Sequence, residues 1–157
     1  MGAVSLRLAG AVLALLGAGC GPAPTATLGT ETAGFVPLAD GDDVEVVTGP
    51  MGLDMLVLAF RVDGIFPGTP DALDDPDNPD IALAITDAAG TWIGGTSASA
   101  GIPVAPDGRR GLSGIFTPFA VDPATFLNSD VTVTLTIVDR RGRVATDAVL
   151  VTAVPAQ

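Results

Sequence analysis

The segment VTVTLTIVD (131–139) puts Val131, Val133, Leu135 and Ile137 on one side and three Thr on the other. This is the period-2 alternation of a half-buried strand. DIALAITD (80–87) sets Ile81, Leu83 and Ile85 against Ala82, Ala84 and Thr86, and DVEVVTG (43–49) sets Val44 and Val46 against Glu45. LDMLVLAFRV (53–62) is apolar at both parities, as in a central strand covered on both faces. TWIGG (91–95) predicts a short strand and VATDAVLVTAV (144–154) a long final one. LSGIFTPFAV (112–121) carries Pro118 and so belongs at an edge or a bulge. "TDAAGTW" and "VDRRGRV" each place Asp at the start of a tight turn and Gly at its end, so Asp80–Gly95 and Val131–Val154 read as hairpins. DPATFLN (122–128) has room for one helical turn. About seven strands with no helical period predict an all-β fold, an antiparallel two-sheet immunoglobulin-like sandwich over residues 34–157. A jelly roll or small barrel is the alternative.

The pattern changes at the N-terminus. In MGAVSLRLAGAVLALLGAG (1–19), Arg7 precedes an apolar run from Leu8 to Leu16, and small residues follow. A positive start, a short apolar stretch and small residues are the parts of an export signal. The run is short for a membrane span of about 20 residues, and it lacks the polar face of an amphipathic core helix. Next comes Cys20, the single cysteine of the chain. With Ala18 and Gly19 before it, Cys20 resembles the lipidated cysteine of a bacterial lipoprotein signal, although Gly17 stands where that pattern usually has Leu. The resemblance implies cleavage before Cys20, acylation of Cys20, and anchoring of the protein to the cell envelope. With Gly21 rather than Asp next, it implies sorting to the outer membrane. Two or three acyl chains exceed what stable anchoring needs. Residues 20–33 (GPAPTATLGTETA after the cysteine) are small, Pro-spaced and Thr-rich, with one isolated Leu. They read as a flexible linker that spans roughly 20 Å as a coil.

Composition narrows the function. The chain has 157 residues and a formal net charge of −11, which repels nucleic acid and anionic headgroups. There is no His, so neither Ser–His nor Cys–His nucleophiles can be assembled. All seven basic residues are Arg, which removes Ser–Lys and Schiff-base chemistry, and no Tyr is present. No G-x-S-x-G, P-loop or dinucleotide fingerprint occurs. The remaining acid–base groups are carboxylates, placed mainly in turns. The expectation is a non-enzymatic protein, with a small carboxylate-dependent hydrolase as the rival.

One stretch carries candidate chemistry. PDALDDPDNPD (70–80) gathers Asp71, Asp74, Asp75, Asp77, Asn78 and Asp80. Calcium takes six to eight hard oxygens, so these aspartates are a candidate weak Ca²⁺ site, though not at EF-hand spacing. The simpler reading is an exposed loop in which Asp and Pro form turns. Trp92 reads as a core or edge residue in preference to a ligand-stacking platform. Arg140, Arg141 and Arg143 in one turn, and Arg109 and Arg110 in another loop, read as solvated turn residues.

GDDVEVVTGPMGLDMLVLAFRVDG (41–64), DAAGTWIGG and VTVTLTIVDRRGRVATDAVLVTAVP together resemble a family of secreted lipoproteins of the myxobacterial type. Members share a strand, a Gly-Pro turn and a second strand leading into a sandwich. That family has a Gly pair and a His after the Gly-Pro. This chain has Met51-Gly52-Leu53 there, so no role of that His carries over. The resemblance implies compartment and fold and brings no activity. The expected protein is an exported, lipid-anchored β-sandwich of the envelope. It would bind another envelope protein, a polysaccharide or Ca²⁺, or act as an adhesion or assembly module through a sheet edge.

Overall fold

The computed structural model describes residues 22–49 and 51–156. The expected export signal (1–19) and the expected lipidation site, Cys20, lie outside them. Among the described residues there are nine strands. They are β1 (Thr25–Glu31), β2 (Phe35–Pro37), β3 (Asp42–Thr48), β4 (Asp54–Asp63), β5 (Asp80–Thr86), β6 (Trp92–Ser99), β7 (Arg110–Pro118), β8 (Ser129–Val138) and β9 (Val144–Pro155). A single 3₁₀ turn over Pro123–Thr125 realises the helical turn expected in 122–128, capped by the Asp122 carboxylate accepting from the Ala124 amide. No helix among the described residues is long and apolar enough to cross a membrane.

The protein is all-β and sandwich-like. Hydrogen bonding runs β2-β1-β4-β3-β9-β8-β5-β6, with β7 on the other flank of β4. The path folds over at β3, which pairs antiparallel with β4 through Val46–Thr48 and parallel with β9 through Asp42–Val46. One core cluster fills the space between the layers. Leu28, Leu56, Leu58, Phe60 and Val62 come from one side, and Ile81, Leu83, Ile85, Val131, Val133, Leu135, Ile137 and Val151 from the other. In β3, β5 and β8 the inward residues are those the alternation selected, because a period of two assigns every second side chain to the core face. Phe119 and Phe126 stack at 3.7 Å between ring centroids in the same cluster.

Both predicted hairpins form, β5–β6 and β8–β9. Their turns are built alike. Asp87 Oδ1 accepts from the amides of Ala89 (2.9 Å) and Thr91 (2.8 Å), and Asp139 Oδ1 from those of Arg141 (2.8 Å) and Arg143 (2.9 Å). Gly90 and Gly142 then take φ of +80° and +74°, the left-handed position that favours glycine. Among the described strands β7 pairs with β4 alone, apart from an isolated bridge of Arg110 to Val104, with a register shift between Leu58 and Phe60, so Pro118 sits on an edge strand as expected.

The structure corrects the expected linker at 20–33. Thr25–Glu31 is a strand that pairs with β4 on one side and β2 on the other. Leu28, read as isolated, is 0% exposed and packs opposite Phe60. Its amide donates to Asp147 Oδ2 of β9 at 2.6 Å. The run T-A-T-L-G-T-E has the right alternation but a single large apolar side chain, and its burial is supplied by strands far along the chain. The count rises from about seven strands to nine because of β1 and β2, and the β3–β9 pairing is parallel.

Candidate functional site

The acidic loop is spent on its own folding. Asn78 is buried and organises it: its Oδ1 accepts from the Thr69 amide (2.9 Å) and its Nδ2 donates to the Ala72 carbonyl (2.7 Å). Asp75 Oδ1 accepts from the Asp77 amide at 2.9 Å. The Thr69 hydroxyl, and then that amide, hold the Asp75 carboxyl below its ordinary range. Asp77 pairs with Arg140, and Asp80, at the start of β5, accepts from the Ser99 hydroxyl. Asp71 and Asp74 are exposed on the outside of the turns. Among the described residues, no group of three or more acidic, His or Cys side chains is arranged to hold a metal ion. Asp71, Asp74, Asp75, Asp77 and Asp80 are therefore not brought together as the calcium reading required. Three successive turns, closed by the amides of Ala72, Asp75 and Asn78 on the carbonyls of Thr69, Ala72 and Asp75, shape the loop together with the Asn78 side-chain bonds, and its carboxylates are engaged one by one or face solvent.

Arg109, Arg110, Arg140 and Arg141 are exposed, as expected of solvated turn residues, Arg143 is half-buried, and each of the five also has a partner. The guanidinium groups of Arg140 and Arg141 lie over the Phe66 ring at 4.5 and 4.6 Å, within cation–π range. Arg143 donates to the Pro22 carbonyl (2.8 Å), Arg110 to the Ile102 carbonyl (3.0 Å), and Arg109 pairs with Asp63 (3.0 Å). Asp139, buried beneath this turn, also accepts from the Phe66 amide at 2.8 Å. Burial pushes its carboxyl up, but the amides of Phe66, Arg143 and Arg141 outweigh that and hold it low. Trp92 is 58% exposed at the start of β6, at the edge of the sandwich rather than in its core.

The most concentrated electrostatics lie where the sequence showed no cluster. Arg61 of β4 is 0% exposed. It donates from Nε to Asp107 (2.8 Å), from Nη2 to Glu31 (3.0 Å) and from Nη1 to the Phe60 carbonyl (3.1 Å), and it lies over the Phe35 ring at 4.4 Å. Ser113 donates its hydroxyl to Glu31. A Cβ at Gly111 would fall 2.1 Å from the Phe60 carbonyl and 2.8 Å from Arg61 Cδ, so only glycine lets the guanidinium lie here. Burial works against the Arg61 charge, yet the bonds to Asp107 and Glu31 outweigh it. The Ser113 hydroxyl and then Arg61 hold the Glu31 carboxyl below its ordinary range. Arg61 and then the Arg109 amide do the same for Asp107. The cluster clips the β1–β2 hairpin and the 103–110 loop onto β4.

Beside the clip the sheet opens. The β1–β4 ladder ends at Ala59 and the β3–β4 ladder at Leu56, so the two strands fork at Val57 and Leu58. A groove of about 410 Å³ lies in the fork, lined by Thr30, Glu31, Thr32, Asp43, Glu45, Val47 and Val57. Leu56 and Leu58 face the core, so Val57 faces outward, and its cross-strand partner Phe116 is 62% exposed. At the opposite layer β6 ends the strand path, and between it and β7 lies a slot of about 80 Å³ lined by Ile81, Leu83, Ala98, Leu112 and Ile115.

No protein-family model matches the chain, and no curated protein matches it. Among solved structures, the chain is similar to CopC from Methylosinus trichosporium OB3b at 14% identity, over 76% of this chain and 88% of that one, with a TM-score of 0.35.

Proposed function

We propose that this protein is an exported, lipid-anchored β-sandwich of the cell envelope that acts by binding a partner and not by catalysis. The observation that carries the binding role is the outer face of β4 and β7, where half-buried Val57 lines a groove and its cross-strand partner Phe116 is exposed. An exposed aromatic beside a concave apolar floor is the usual form of an interaction site. The non-enzymatic reading is supported by composition, since a chain without His, Lys or Tyr lacks the side chains of the common nucleophile–base pairs. The anchoring reading is supported by the apolar run before Gly17-Ala18-Gly19-Cys20. By the same resemblance the anchor places the domain at the outer membrane.

Mass spectrometry of the mature N-terminus tests the anchor. Acylated Cys20 is expected, and an unmodified chain starting elsewhere would overturn it. Affinity capture of envelope proteins with the Cys20→Ser form tests the binding role. A saturable partner is expected, and failure to capture any envelope protein or polysaccharide would overturn it. A second reading, an assembly module acting through a sheet edge, is favoured by β6, which carries no charged residue over Trp92–Ser99 and has β5 as its one full ladder partner. It predicts dimers in sedimentation that a Ser97→Lys substitution dissolves.

A further inference from the structure

We propose that the fork between β1 and β3 is a docking groove for a cationic polypeptide segment of a partner protein. An apolar side chain of that segment would seat on Val57 and Phe116, between basic residues paired with Asp43 and Glu45. The inference deepens the binding role proposed above and rests on it.

Three observations meet at this place. First, the groove results from topology and not from a missing side chain. β1 leaves β4 to meet β2, β3 leaves β4 to meet β9, and a two-residue gap in the ladder remains at Val57 and Leu58. Second, its floor is apolar at Val47 and Val57, with Phe116 alongside as the cross-strand partner of Val57. Residues 43, 45 and 47 of β3 alternate with the buried Val44 and Val46, so Val47 points outward with Val57 and Phe116. Third, its wall is anionic. Asp43 and Glu45 take part in no ion pair among the described residues. Arg61, the partner of the groove residue Glu31, is buried and already shared by Glu31 and Asp107. The local field is therefore negative, within a chain of net charge −11.

Charge complementarity selects the occupant. An anionic headgroup or a nucleic acid would be repelled. A metal ion lacks a set of three ligands here. A basic segment gains on two counts: its guanidinium or ammonium groups meet the two free carboxylates, and its apolar residue covers Val57 and Phe116. The charges guide the encounter and fix the register, and the apolar contact contributes more of the residence time.

The test uses the full chain and a fluorescein-labelled decapeptide of alternating Arg and Leu, followed by fluorescence anisotropy, with the Glu–Leu counterpart as control. The Arg–Leu peptide is expected to bind saturably and the Glu–Leu peptide not at all. Asp43→Asn/Glu45→Gln and, separately, Phe116→Ser should each weaken binding roughly tenfold. Asp71→Asn/Asp74→Asn removes the same two charges from the other loop and should leave the affinity within roughly twofold. Equal loss in both double variants would mean bulk attraction to an acidic protein, and it would overturn the proposal. So would the absence of saturable binding to the Arg–Leu peptide. Should a variant fail to fold, hydrogen exchange on the unmodified chain decides. Added peptide should protect amides in 30–32 and 43–47, and unchanged exchange there overturns the groove. A partner captured by the Cys20→Ser form and retained at full strength by the groove variants would overturn the groove while leaving the binding role standing.

Discussion

The loop at 70–80 and the cluster around Arg61 are both built from carboxylates, and they behave in opposite ways. The loop concentrates its acids within eleven residues, yet each one engaged in the structure serves a turn, a neighbouring hydroxyl or one surface arginine. The clip draws Glu31, Arg61, Asp107 and Ser113 from partners 30, 46 and 82 residues apart, and it buries a guanidinium completely. Density along the chain therefore reports local backbone needs, because Asp and Asn bond amides two to four residues away. Density in space is set by strand register, which here brings Thr27 of β1 opposite Arg61 and places Gly111 of β7 on the other side.

The sharpest way to break this contrast is Arg61→Ala. It removes a buried charge from between two carboxylates and leaves a cavity under Phe35. We expect a loss of about 3–5 kcal/mol, read from urea unfolding, since stranding half of a buried pair is costly even where the intact pair contributes little. A loss under 1 kcal/mol would reduce the clip to an ordinary surface contact. Asn78→Ala should come next. It leaves the Thr69 amide and the Ala72 carbonyl without partners, and about 2 kcal/mol should be lost in the same experiment. In the loop, then, the neutral amide should matter more than the acids around it.

Acid titration acts on both regions with the same sign, since Asp75 of the loop is held low by the Thr69 hydroxyl and the Asp77 amide. Glu31, Asp107 and Asp139 have carboxyls held below their ordinary values. Their contribution to stability is therefore fully present above the ordinary carboxylate range, near pH 4, and is lost as pH falls through the lower folded values. Thermal melts from pH 6 to pH 2 should show stability falling below about pH 4, with a shallower fall in Arg61→Ala, where the Glu31 and Asp107 part is already gone. Parallel curves for the two proteins would contradict the clip. The smallest effect is expected from Asp71→Asn/Asp74→Asn, within about 0.5 kcal/mol of the parent. Calcium to millimolar levels should shift neither melt, and a saturable upward shift would restore the metal reading.

Legibility follows the same division. The alternation in 80–87 and 131–139 located β5 and β8, and the D-x-x-G turns located both hairpins, because these features depend on neighbours in sequence. β1 escaped because its one large apolar residue, Leu28, finds its partners on β4 and β9. Arg61 escaped because it continues an apolar run that reads equally well with its charge at a strand end. A signal was nonetheless present: an arginine at an outward position of a strand buried on both faces requires a counter-charge from elsewhere in the chain. The groove at Val57 had no sequence signal, since it exists only where two strands part.

The parallel pairing of β3 with β9 also governs when the molecule can become whole. Leu28 and Asp147, which meet across the same side of the sandwich, are 119 positions apart. Contacts of that span carry the largest loop-closure cost, and folds dominated by them close in milliseconds to seconds, not microseconds. The local β5–β6 and β8–β9 hairpins can form early. β3, however, has no second partner until β9 has arrived, so a chain emerging N-terminus first remains open along β3 until Val144–Pro155 is free to pair.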